Sequence, residues 1–205
     1  NRKRILIDPG DLQYKNTYIK NEWVDIDVVL VTHKHTDHCN EDAIKELVNN
    51  PKCKFYTSKE VADAFPELSP EIVKEGDVLT IDSVKVEVVK AVHGFIPHLV
   101  GDRAINENIG YIIDNQENKL YFTSDSVCFP NNYKADILVV PVSNHGLTCG
   151  PYDAALFAEQ VQANKAIPVH YDNPAHPVNL DELKKEFKNK NIDLKILEIK
   201  QSIEI

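Results

Sequence analysis

Val28-Val29-Leu30-Val31-Thr32-His33-Lys34-His35-Thr36-Asp37-His38-Cys39-Asn40 is the stretch whose reading decides the fold. An apolar, β-branched run of strand length passes directly into a polar segment holding three histidines and an aspartate. Asn40 then stands where a helix N-cap belongs, ahead of Ala43, Ile44, Leu47 and Val48 at helical spacing. The stretch therefore reads as strand, turn and helix. Four ligand-type side chains within six residues of one turn converge only if something cationic holds them. A polar loop with solvated histidines is the alternative, and it suits one isolated His better than this spacing.

A motif this short cannot complete a metal site, because zinc takes about four ligands and hydrolytic ion pairs share bridging groups. Further ligands are expected downstream at strand ends. His93 closes the run Val84 to Val92, Asp125 follows Leu120 to Phe122 in Thr123-Ser124-Asp125-Ser126, and His170 closes Ala166 to Val169. Each stands just beyond a strand's last apolar residue, where open α/β sheets present their ligands. Any one of them alone could be a satisfied core His or a turn-forming Asp. As a set they fit one edge of one sheet.

Other strand-length runs are Ile5 to Ile7, Ile109 to Ile113, Ile137 to Val142 and Leu194 to Ile199. Lys85 and Glu87 alternate with Val84, Val86 and Val88, which predicts a half-exposed strand near a sheet edge. Ala154, Phe157, Ala158 and Val161 mark a helix with Pro151 in its first turn; Leu180, Leu183 and Phe187 mark another behind an Asn179 cap, with Glu182 three residues on. Thr57 with Glu60 predicts a cap before a short helix ending near Phe65. Interleaved strands and helices define an α/β class, and 205 residues with 42% hydrophobic content suit one domain spanning 1–205. The long polar segment from His93 to Asn108 is a candidate substrate loop.

Lys plus Arg total 23 against 32 Asp plus Glu, a formal charge of -9, so the surface should repel nucleic acid and anionic membranes. No run approaches the roughly 18 apolar residues of a membrane span, and a cytoplasmic location is expected. Cys39, Cys53, Cys128 and Cys149 show no CxxC pairing and are expected as reduced thiols. With no Met and a start at Asn1, the numbering does not begin at an initiator.

His33-x-His35-x-Asp37-His38, then His93, Asp125 and His170 in that order, resemble the ligand series of the metallo-β-lactamase superfamily, and Asp8 in Ile5-Leu6-Ile7-Asp8-Pro9 matches its early strand-end aspartate. The resemblance covers essentially the whole chain and implies an αββα sandwich. Thr148-Cys149-Gly150-Pro151-Tyr152-Asp153-Ala154-Ala155 and Ile167-Pro168-Val169-His170-Tyr171 further resemble the branch of small bacterial hydrolases related to sugar-phosphate lactonases. Two departures stand out. Family members usually carry a hairpin before the Asp-Pro strand, so here the N-terminal hairpin is expected to be short or missing. His145 stands where a variable Gly-rich stretch is expected, and is read as an exposed side chain in preference to a substrate contact.

The resemblance implies one metal on His33, His35 and His93, a second on Asp37, His38 and His170, and Asp125 between them. It implies two divalent ions, zinc first with manganese or iron acceptable, and a bridging water that cleaves a small ester, lactone or phosphodiester. Asp37 orients the water or relays its proton, and Asp8 fixes a ligand tautomer from behind. The partner is a small molecule, and an anionic one is compatible with the acidic surface because two cations dominate the local field. His98, Arg103, His145 and His176 are loop residues able to hold a phosphate or carboxylate. Rival readings are a non-haem di-iron oxygen-handling protein, which usually needs a flavin-binding partner domain, a non-catalytic metal module, and a nuclease, which would carry an inserted domain and a basic stripe.

Overall fold

In the computed structural model, which describes residues 3–15, 21–95 and 100–204, the run that leads into the ligand turn is buried on both faces. Val28 and Leu30 enter one apolar cluster with Tyr56, Val86, Val88 and Tyr111. Val29 and Val31 enter another with Ile44, Phe55, Val61 and Leu68. Successive strand side chains point to opposite faces, so such a run needs a packed layer on each side. Val29, Leu30 and Val31 are fully buried, each worth about 1.5–3 kcal/mol of transfer free energy.

Those layers are two sheets with helices outside them. β1 (Ile5–Ile7), β2 (Val28–Leu30), β3 (Lys54–Thr57) and β4 (Glu71–Ile72) form a parallel sheet in that order. The second sheet comprises β5 (Val78–Ile81), β6 (Val84–Lys90), β7 (Ile109–Asp114), β8 (Lys119–Phe122), β9 (Ile137–Pro141), β10 (Lys165–Val169) and β11 (Asp193–Leu194), ordered β11-β10-β9-β8-β7-β6-β5. β5 to β8 pair antiparallel and β8 to β11 parallel.

Following the short α1 (Asp11–Tyr14), α2 (Glu41–Val48) and α3 (Lys59–Ala64) cover the outer face of the parallel sheet. α4 (Pro151–Gln160) and α5 (Leu180–Asn189) cover the other sheet through Ala154, Phe157, Ala158, Leu183 and Phe187. The layer order is helix, sheet, sheet, helix, the expected αββα sandwich. β1 is an outer strand of its sheet and pairs only with β2 among the described residues.

Local chemistry explains most element ends. Asn40 Oδ1 accepts the Ala43 N–H and Asn179 accepts those of Asp181 and Glu182, both as expected. The α3 cap is Ser58, not Thr57. Thr57 Oγ1 instead donates to the Val31 carbonyl at 2.9 Å, so it belongs to the sheet. The run Leu194 to Ile199 forms a strand only at Asp193–Leu194, because its pairing with β10 extends no further than Ala166. Asp8, Ser124 and His170 have φ of 51°, 61° and 66°, so three strand ends turn sharply through a left-handed residue at one rim of the sandwich.

Candidate metal centre

Four of the imidazoles at that rim, His33, His35, His38 and His93, are each held by one nitrogen while the other faces inward. Thr32 Oγ1 donates to Asp8 Oδ2 at 2.8 Å and Ser124 Oγ donates to Asn108 Oδ1 at 2.6 Å. Both hydroxyl protons are therefore committed elsewhere, and toward His33 Nδ1, at 3.0 and 3.4 Å, these oxygens can only accept. His33 thus carries its proton on Nδ1 and turns the Nε2 lone pair to the cluster. The Asn108 orientation is fixed independently, since its Nδ2 donates to the Asp125 carbonyl at 2.8 Å.

The same logic applies around the ring of ligands. His93 Nδ1 donates to the Gly94 carbonyl at 2.8 Å, and His35 Nε2 donates to the Arg103 carbonyl at 3.1 Å. His38 Nδ1 donates to Asp8 Oδ2 at 2.8 Å. His93 Nε2 and His38 Nε2 are buried without a hydrogen-bond partner. Buried orphan nitrogens on correctly oriented imidazoles are costly unless a cation takes their lone pairs.

Three clusters of ligand atoms, each within 4.8 Å, emerge: His33, His35 and His93; Asp37, His38 and His170; and His33, His38 and Asp125. The third takes one member from each of the others, which puts Asp125 between them. Its Oδ2 lies 3.4 Å from His38 Nε2 and 3.5 Å from His170 Nε2, and Asp37 Oδ2 lies 3.5 Å from the same His170 nitrogen. All seven ligand residues read from the sequence thus meet at one place, and the donor set suits divalent transition metals.

The electrostatics sharpen this. Burial alone would drive His38 toward neutrality, but Asp125 in front and Asp8 behind raise its pKa well above the ordinary value. Burial likewise opposes ionisation of Asp125, yet His38, His170 and His33 hold it far below the usual carboxylate range. Burial, reinforced by His38, keeps His33 neutral, and burial lowers His93. Asp37 raises His170. The metal-free cluster therefore keeps a proton on His38 that a cation would replace.

Several positioning groups escaped sequence reasoning. Thr32, Ser124 and Asn108 carried only a weak signal, as hydroxyl and amide residues at the ends or starts of apolar runs. Gly10 is the tightest: a Cβ there would overlap the Asp37 carbonyl and the His38 amide, while the Asp11 N–H donates to the Thr36 carbonyl at 2.7 Å and Asn40 N–H to the Pro9 carbonyl at 3.0 Å. Residues 8–11 clasp the ligand turn against α2. Lys34, inside the motif, pairs with Glu60 at 2.9 Å.

Of the loop candidates, His98 lies outside the described residues. His145, expected as exposed, is half-buried: its ring stands 5.8 Å from His170 and 5.2 Å from the exposed His176, and its Nδ1 accepts the Leu147 N–H at 3.0 Å. Cys39 is buried in the cluster under the parallel sheet, with its thiol pushed up to about 12, first by burial and then by Asp8. It is neither aimed at the ligand atoms nor poised as a nucleophile.

The two-sheet sandwich with imidazole and carboxylate ligands gathered along one rim defines a class of metalloprotein. The model of the Beta-lactamase superfamily domain matches residues 1–170, and the chain belongs to that family. A Thermococcus onnurineus protein named as a metal-dependent hydrolase is 29% identical over 194 residues, which cover 89% of this chain and 84% of that protein. A crystal structure of a Parabacteroides distasonis protein superposes with a TM-score of 0.76 at 23% identity, covering 93% of this chain and 83% of the other. Igni18, a metallo hydrolase of Ignicoccus hospitalis, gives 0.75 at 19%, covering 95% and 87%. At these identities the structural likeness is one of fold. No helix of the described residues is long and apolar enough to cross a membrane.

Proposed function

We propose that this enzyme is a metal-dependent hydrolase with a dinuclear centre, cleaving a small ester, lactone or phosphodiester. His33, His35 and His93 would hold one ion, Asp37, His38 and His170 the other, and Asp125 would serve both. Zinc is the first choice for such nitrogen and oxygen donors, with manganese or iron also compatible. The observation that carries the reading is the set of fixed ring orientations: Thr32, Asp8, Gly94 and Arg103 each take one imidazole proton, which turns the other nitrogen of His33, His38, His93 and His35 inward, and those of His38 and His93 are buried with no hydrogen-bond partner.

When bound, the ion pair supplies Lewis acidity toward the substrate oxygen and a water acidic enough to ionise near neutral pH. The chain does the rest. Asp37, less buried than Asp125, with its side chain 38% exposed, would accept the proton released on attack and pass it to the leaving group. Asp125 remains ionised in its buried position and compensates charge. Asp8 keeps His38 in one orientation and supports its basicity. The named hydrolase relatives agree with this class of reaction, and the acidic surface fits a small-molecule substrate better than nucleic acid.

The test joins metal analysis to a hydrolysis screen. Protein reconstituted with excess zinc, manganese or iron should hold about two ions and turn over at least one lactone, thioester, phosphodiester or β-lactam. One ion or fewer with every metal would overturn the dinuclear reading, and full loading without turnover in the whole screen would count against hydrolysis.

A further inference from the structure

Beside the ligand rim lies a cleft of about 350 Å³ with His35 and Asp37 on one wall, Ala64 and Phe65 on another, and Lys34 and Arg103 as its cations. That volume sits at the small end of the range for small-molecule sites, roughly 300–1,000 Å³. The two cations are not equivalent. Lys34 is committed to Glu60 at 2.9 Å, with side chains 16% and 13% exposed, and Glu60 is itself fixed by the backbone N–H groups of Asn106 and Glu107 at 3.0 and 2.9 Å. Arg103 is fixed through its backbone, whose carbonyl accepts from His35 at 3.1 Å. Its guanidinium is exposed, and no described residue pairs or hydrogen-bonds with it. In a chain where acids outnumber bases 32 to 23, an Arg left without a carboxylate next to two ligand residues is a charge held for something else.

We propose that this cleft is an anion subsite. Arg103 receives the carboxylate or phosphate of a small substrate, the intervening carbons lie on Ala64 and Phe65, and the bond to be cleaved lies over His35 and Asp37. The guanidinium fork matches either anion with two parallel hydrogen bonds, which a lysine cannot reproduce. The direction of the substrate rests on the hydrolase reading; the subsite itself rests on the cleft and its unpartnered Arg.

Calorimetric titration of the zinc-loaded protein with malonate through adipate, each against the monocarboxylate of equal length, tests it directly. At least one diacid should bind about tenfold or more tightly than its monoacid. Arg103→Gln, which keeps the backbone carbonyl for His35, should erase that preference with metal content unchanged, and Arg103→Lys should restore only part of it. Replacing one carboxylate by a phosphonate then tells which anion the fork prefers. No diacid preference, or a preference that survives Arg103→Gln, overturns the subsite. The two readings fail separately: wild-type protein that hydrolyses an uncharged ester but shows no diacid preference loses only the subsite, while an Arg103-dependent preference without any turnover in the hydrolysis screen loses only the hydrolase.

Discussion

His33, His35 and His93 on one side, and Asp37, His38 and His170 on the other, are oriented by different kinds of partner. The first three lean on neutral groups: the Thr32 hydroxyl and the carbonyls of Arg103 and Gly94. In the second, His38 leans on the buried carboxylate of Asp8, and Asp37 is itself a candidate ligand. Neutral imidazoles leave a cation with its full charge, whereas carboxylates in and behind the ligand layer offset it. The halves should therefore differ in affinity, in competition with protons and in sensitivity to single substitutions, with Asp125 the residue they share.

Removing the shared charge should have the largest effect. Asp125→Asn leaves His38 and His170 facing a neutral amide in a buried place, a loss of about 3–5 kcal/mol by analogy with broken buried ion pairs. At least one ion should be released and activity should fall by roughly the corresponding two to four orders of magnitude; elemental analysis beside turnover reads both. Retention of both ions and full rate would make Asp125 only a turn residue. Asp37→Asn should separate the halves: the all-histidine ion stays, while the rate drops about 10²–10⁴-fold with the loss of the proton relay. A fully active variant with both ions bound would remove Asp37 from the chemistry.

Asp8→Asn acts a layer further out and mainly on one half, since it meets His38 directly and His33 only through Thr32, whose hydroxyl an amide oxygen can still accept. It should weaken the ion on Asp37, His38 and His170 by about 10–100-fold and leave the other nearly unchanged, as followed by competitive chelator titration. Equal weakening of both would show that the halves are coupled through the residue 8–11 clasp. In the metal-free protein the contrast should be visible by NMR. His38, raised by Asp125 and Asp8 beyond what burial removes, stays protonated as pH rises past the usual histidine value of about 6.5. His33, lowered by burial, stays neutral well below it. Coincident titrations near the ordinary value would erase the distinction. Cys39→Ser should have the smallest effect: no change in metal content or turnover, and a stability loss on the order of 1 kcal/mol from placing a hydroxyl in an apolar cluster.

The meeting of the candidate ligands was legible because they follow apolar runs, and a strand buried on both faces announces itself as Val28 to Val31 does. β3, β4 and β5 were not. Lys54-Phe55-Tyr56-Thr57 is short, and its Thr57 imitates a cap until the Val31 carbonyl across the sheet is known to claim its hydroxyl. β4 is exposed at both of its residues and β5 at two of its four, so neither shows the run of buried residues that marks β2, β7 and β9. The tautomer-fixing groups were hidden for another reason. Thr32 and Asn108 are committed through partners distant in sequence, Asp8 for one and Ser124 and Asp125 for the other, and nothing local distinguishes such residues from ordinary strand-end polar groups.

The left-handed backbone at Asp8, Ser124 and His170 bears on how far this protein can be evolved or engineered for heat resistance. Glycine is the residue such conformations favour, and elsewhere a change to glycine at such a place can relieve strain of about 1–3 kcal/mol. Here one position is the candidate ligand His170, one is the carboxylate behind His38, and the third supplies an oxygen facing His33 and the hydrogen bond to Asn108. A selection for thermostability alone would be drawn to these sites and would disarm the enzyme there, so gains must come from the helices and the far rim of the sheets, where backbone and chemistry are not the same residues.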